Sequence, residues 1–202
     1  MQPTPDPRSR SLSIRSRPIV GTTALVWWSC LLFCAILGSA RAEPAVSKEY
    51  QLKAAFIYNF TKFVEWPEHS FANAESPIVI GILRGNPFNG ELRKAVSGRK
   101  VNGRSIVVTQ VTSTATARQV HILFVGAALD SRLKDFTGVL DGSTVLTVGE
   151  SPAFARYGGM ITFTLRGDSL RFVVNIDSAK KAGLKISSQL QKLGVRPEGG
   201  AQ

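Results

Sequence analysis

Ile78-Val79-Ile80-Gly81-Ile82-Leu83 contains no polar side chain, and a strand of that composition has no face to offer water. It belongs inside a sheet covered on both sides. The surrounding pattern agrees. Asn86-Pro87 supplies a cap and first-turn proline for a helix over 88–96, and strands are expected over 105–111 and 122–125. A helical stretch over 131–136, a strand over 144–148 and a short helix opened by Ser151-Pro152 follow. Strands alternating with helical pieces predict an α/β fold: a three-layer domain with a mostly parallel sheet flanked by helices. The pattern then changes, because residues 160–166 and 170–176 alternate apolar and polar about Gly167-Asp168. That is the signature of an antiparallel hairpin, with Ile161, Phe163, Leu165, Leu170, Phe172, Val174 and Ile176 on one face. A C-terminal helix capped by Asp177 is expected to carry Ala179, Ala182, Ile186, Leu190 and Leu193 on one side and to stop at Gly194.

Ahead of this body, Arg8, Arg10, Arg15 and Arg17 precede an apolar run from Ala24 to Leu37, and Ala40-Arg41-Ala42 fits a cleavage site. Residues 1–42 therefore read as a signal peptide, 43–197 as one α/β domain and 198–202 as a disordered tail. A retained N-terminal membrane anchor stays open, since Ile19 to Leu37 is close to the roughly 20 residues that span a bilayer core. Export places the mature domain in the periplasm. Both cysteines, Cys30 and Cys34, fall in the leader, so the mature chain has no thiol chemistry. Removing the leader leaves 20 basic and 13 acidic residues, a net charge of +7 instead of +11.

No catalytic constellation emerges. His69 and His121 lack the partners of a metal site, no G-x-S-x-G elbow or phosphate loop follows a predicted strand, and no cofactor is expected. Ligand loops in an open parallel sheet lie beyond the strand carboxyl ends, here Arg84-Gly85-Asn86, Gly126 and Glu150-Ser151. The basic cluster Arg93, Lys94, Arg99, Lys100 and Arg104 is a solvated face or a patch for an anionic partner. Nucleic acid is disfavoured, because export separates the chain from it and aromatics do not interleave with the basic residues. Arg166-Gly167-Asp168 spells an adhesion tripeptide, but the expected hairpin explains its glycine and aspartate as turn residues.

The opening helix, over 46–65, has an apolar stripe of Leu52, Phe56, Phe60, Phe63 and Val64, and Pro67 ends it at Trp66. Its sequence Ala54-Ala55-Phe56-Ile57-Tyr58-Asn59-Phe60-Thr61-Lys62-Phe63-Val64-Glu65-Trp66-Pro67 resembles the opening motif of the YfiR family of periplasmic regulators. Agreement continues in order through Asn86-Pro87-Phe88, His121-Ile122-Leu123-Phe124, Leu146-Thr147-Val148, Gly158-Gly159-Met160-Ile161, Arg171-Phe172, Asn175 and Gly183-Leu184-Lys185-Ile186-Ser187-Ser188. The resemblance implies a repressor that binds the periplasmic sensor domain of a membrane diguanylate cyclase, with a sequestering outer-membrane lipoprotein and a homodimer as further associations. It puts Val120 where the family often has cysteine, so disulfide-dependent control is not expected. Candidate partner-binding residues are Lys62, Glu65, Trp66, Phe154, Arg156, Arg171 and Asn175. The rival reading is a periplasmic small-molecule sensor subunit that uses the strand-end loops.

Overall fold

The computed structural model describes residues 48–134, 138 and 140–195; the expected leader, its anchor alternative, Phe136 and the C-terminal tail lie outside the described residues. The domain opens with α1 (Lys48–Phe63), followed by β1 (Val64–Glu65), β2 (Ile78–Leu83), α2 (Glu91–Val96), β3 (Lys100–Val101) and β4 (Arg104–Val111). Next come α3 (Thr114–Ala117), β5 (Ile122–Val125), a 3-10 turn (Ala127–Arg132), β6 (Leu146–Gly149) and α4 (Pro152–Arg156). The hairpin β7 (Ile161–Arg166) and β8 (Ser169–Val174), then α5 (Ile176–Lys181), β9 (Lys185–Ile186) and α6 (Ser188–Leu193), complete it.

Seven strands form one sheet in the order β3-β4-β2-β5-β6-β7-β8. The five from β4 to β7 are parallel, and antiparallel β3 and β8 close the two ends. The apolar β2 lies near the middle and splits its side chains between two cores. Ile78, Ile80 and Ile82 join Ile122, Phe124, Leu146 and Val148 under α1 and α2, while Leu83 faces Leu123, Val125 and Phe154 on the other side. This is the three-layer arrangement that the alternating pattern requires. The Gly167-Asp168 hairpin is in the expected register, with Phe163 opposite Phe172 and Leu165 opposite Leu170.

Several local expectations are corrected. The first helix ends at Phe63, because Val64 and Glu65 pair antiparallel with Ile186 and Lys185, and Ser187 N–H donates to the Phe63 carbonyl at 2.9 Å. Its buried face is Lys53, Ala54, Ile57, Phe60 and Thr61, a rotation that leaves Leu52 51% exposed. Asn86 Oδ1 does accept from Phe88 N–H at 3.0 Å, but Asn89 has φ +46°, so helical geometry starts only at Glu91. Asn102-Gly103, with φ +50° and +79°, makes a two-residue hairpin between β3 and β4 that the sequence reading overlooked. The single last helix is two short ones: Asn175, not Asp177, caps the first, which closes where Gly183 and Leu184 N–H donate to Lys180 and Ala179 carbonyls. Pairing of the intervening segment with β1, as β9, outweighs helical periodicity there.

Candidate partner-binding surface

Beyond the carboxyl end of β6, Glu150 is the centre of a polar knot. Lys53 Nζ lies 2.5 Å from Glu150 Oε2 and 2.5 Å from Glu49 Oε1. Tyr50 Oη donates to Glu150 Oε1 at 3.2 Å, and the Ala127 N–H donates to the same oxygen at 3.0 Å. The ammonium also sits 4.5 Å from the centre of the Tyr50 ring. Burial works against the charged lysine, yet hydrogen bonds to Glu150 and Glu49 outweigh it and hold the pKa above the usual lysine value. Lys53 therefore stays an ammonium and is no amine nucleophile. Burial, reinforced by the Glu150 charge, raises the Tyr50 hydroxyl. The next residue, Ser151, caps α4 and donates to Asp130 Oδ1 at 2.5 Å. Of the strand-end loops named as ligand candidates, those at Gly126 and Glu150-Ser151 thus bind to each other and to α1, while Asn86 bonds within its own segment.

Beside this knot the hairpin leaves the sheet. β6 pairs with β7 only at Ile161 and Thr162, so Phe163 to Arg166 continue without a β6 neighbour. A cleft of about 560 Å³ opens there, walled by Glu49, Lys53 and Glu150 on one flank and by Ala155 and Arg156 of α4 on another. Phe163, Leu165 and Leu170 line it from one hairpin face and Thr162, Thr164 and Val173 from the other. Side chains of both faces meet one cavity only at a strand edge. A second groove, of about 590 Å³, shares Ala155, Thr162 and Val173 with the first and adds Asn175, Asp177 and Lys180.

A separate aromatic clasp forms at the opposite ends of the strands. Trp66 Nε1 donates to the His121 carbonyl at 3.1 Å, and its ring stands edge-on to the His121 imidazole. That imidazole accepts from Val79 N–H through Nδ1 at 3.0 Å, which leaves Nε2 to donate to the Ser70 carbonyl at 3.2 Å. Phe71 stacks on it at 4.4 Å, and the Arg104 guanidinium covers Phe71. Burial pushes the His121 pKa down; the Ser70 carbonyl pulls partly back, and the Arg104 charge pushes down again. Since the folded pKa lies below that of the unfolded chain, the unfolded state takes up its proton first as pH falls below about 6.5. Stability is expected to be fully present above that pH and to decline toward pH 5. His121→Asn, which keeps an acceptor for Val79 N–H, should remove this part of the slope in thermal denaturation followed by circular dichroism. An unchanged slope would assign the effect to other groups.

The seven candidate residues separate accordingly. Arg156 lines the hairpin cleft, Arg171 lies across the ladder from Thr164 on its wall, and Asn175 lines the adjoining groove. Asn175 also caps α5 through Ser178 N–H at 3.0 Å. Lys62, Glu65 and Trp66 lie away from that cleft: Lys62 is exposed over the Tyr58 ring, Glu65 pairs with Lys185, and Trp66 closes the clasp. Phe154 is buried in the second core, where its ring packs on the backbones of Gly149 and Gly159. A Cβ on either glycine would overlap that ring. The basic cluster is partly committed, since Arg104 also donates to the Asn73 and Ser76 carbonyls at 2.8 Å and Arg99 covers Tyr58. Lys53, Tyr50 and Glu49 were missed, because a lysine at a helix position reads as solvated; only its place one turn before Ile57 hinted that it faces inward.

Among the described residues no group of three histidine, cysteine, aspartate or glutamate side chains is placed to hold a metal. None of the described helices is long and apolar enough to cross a membrane.

No functionally curated protein matches the chain. A solved structure, that of a conserved domain protein from Vibrio cholerae O1 biovar El Tor, superposes with a TM-score of 0.51 at 9% identity, covering 74% of this chain and 60% of that one. The likeness establishes a shared fold, and this chain accounts for less than two thirds of that protein. The profile of the YfiR/HmsC-like family matches residues 50–195, from Tyr50 in the polar knot to Val195 beside β8. That span contains the whole sheet, the aromatic clasp and all of the hairpin cleft but Glu49, and the chain belongs to the YfiR/HmsC-like family.

Proposed function

We propose that this chain is a periplasmic, non-enzymatic regulator that binds the sensor domain of an inner-membrane diguanylate cyclase and holds it in an inactive conformation, lowering cyclic-di-GMP. The observation that carries this reading is the family match across residues 50–195. The polar groups at the strand ends support it, since Glu150, Ser151 and Asn86 are engaged with neighbouring protein atoms. Repression then acts as a population shift: the regulator grips one receptor conformation better than the other, and the cyclase follows. A sequestering outer-membrane lipoprotein and a homodimer belong to the same proposal. Deleting the gene is expected to raise cellular cyclic-di-GMP and surface attachment, measured by nucleotide quantification and an adhesion assay. Unchanged nucleotide levels would end the repressor reading.

The hairpin cleft, about 560 Å³ and within the size range of small-molecule sites, favours a second reading as a ligand-sensing subunit. A compound copurifying with the mature protein, and lost on Arg156→Ala and Thr164→Ala, both on the cleft wall, would support it.

A further inference from the structure

We infer that the free arm of β7 is a docking slot for one extended, acidic segment of a partner protein, which adds as a strand between β7 and α4. The inference rests on the proposed function only for the partner's identity. Its basis is backbone geometry. Asn175 N–H donates to the Met160 carbonyl at 2.7 Å, which makes residues 160 and 175 a hydrogen-bonded pair. Such pairs alternate along an antiparallel ladder, so Thr162 with Val173, Thr164 with Arg171 and Arg166 with Ser169 are bonded pairs too. Leu165 lies between them, and its N–H and C=O point away from β8. On that side β6 has already ended opposite Thr162, so no described strand meets Leu165. Its side chain is 57% exposed.

An unpaired strand edge bordered by an apolar cleft is the geometry of strand addition, in which main-chain hydrogen bonds hold the guest and alternate side chains select it. Phe163 to Arg166 offer roughly 13 Å of edge, enough for about four guest residues. The flanks narrow the choice of guest. Lys53, Glu150 and α4 wall the slot, so it admits a single chain, and the edge of another sheet brings its own covering layers. Lys53 is already matched by two carboxylates, while the exposed Arg156 and Arg171, with Arg166 at the end of β7, give the hairpin side its basic character. A guest with carboxylates alternating with apolar residues complements both the arginines and the Phe163, Leu165 and Leu170 floor.

The test places a photo-crosslinking amino acid at Ala155, on the α4 wall, in the full chain expressed in its own cells. Val107, exposed on β4 at the far end of the sheet, is the comparison position. The expected result is an adduct from Ala155 and none from Val107, its crosslinked peptide an acidic, extended segment of a different protein. Leu165→Pro removes the donor aimed into the slot together with the Leu165 side chain on its floor and leaves the ladder with β8 in place, because a proline whose nitrogen faces off the ladder is tolerated in an edge strand. It should lower adduct yield about tenfold, the equivalent of one or two lost hydrogen bonds. Arg156→Glu with Arg171→Glu, a surface change that leaves the ladder intact, should do the same. No adduct, an adduct with a second copy of this chain, or yields untouched by both variants would overturn the inference. An adduct that persists while gene deletion leaves cyclic-di-GMP unchanged would keep the slot and discard the cyclase as its partner.

Discussion

Replacing Lys53 with methionine is expected to lower the stability of the folded domain by about 3–5 kcal/mol, the cost of leaving a buried charge without its counter-ion. The stranded group is Glu150, whose side chain is only 9% exposed. Its other donors, Tyr50 Oη and Ala127 N–H, would remain, but neither carries charge. Glu49 matters less, because at 39% exposure water screens it. Adding Glu150→Gln to Lys53→Met should recover most of the loss, since a neutral amide no longer needs the ammonium. Urea denaturation of wild type and the three variants measures the cycle. Equal losses in the single and double variants would show that Lys53 acts through its packed stem, not its charge.

The second large effect concerns Phe154, and its signature is a change of sign. Phe154→Ala should cost about 3–5 kcal/mol, because it empties a well-packed site. Gly159→Ala alone should also destabilise, by about 1–3 kcal/mol, since its new methyl overlaps the ring. Once the ring is gone that methyl enters vacated space, and Gly159→Ala should then stabilise the Phe154→Ala protein. Thermal melts of the four proteins decide the matter; additive losses would mean that ring and glycine do not share the site. The result also bears on interface mapping, because weaker partner binding by a Phe154 variant would report damaged packing at a residue only 2% exposed.

The sheet was legible because its strands carry their burial in their composition: β2 and β5 have no polar face, and the β7–β8 alternation matches its register residue for residue. The Ser151-Pro152 opening of α4 was equally local, a cap and a first-turn proline adjacent in sequence. The last helix failed for the opposite reason. Ala182, Ile186 and Leu190 fit a helical period, but β9 depends on β1, more than 100 residues earlier, and periodicity carries no record of such a partner. The candidate surface divides the same way. Arg156 and Asn175 line two adjoining grooves beside the hairpin and Arg171 lies across the ladder from Thr164, whereas Trp66 is turned inward by the His121 carbonyl. Lys53 was hard to read, since its buried counter-ion, Glu150, lies 97 positions away.

The pairing of Val64-Glu65 with Lys185-Ile186 joins opposite ends of the described domain. Contacts so distant in sequence form late, after the intervening strands have shortened the loop that must close. The end of the aromatic helix is therefore fastened only once residues 185–187 are in place. A chain stopped short of Lys185 would leave Val64 and Glu65 without a strand partner, so trimming the C-terminal end is expected to loosen the far end of α1.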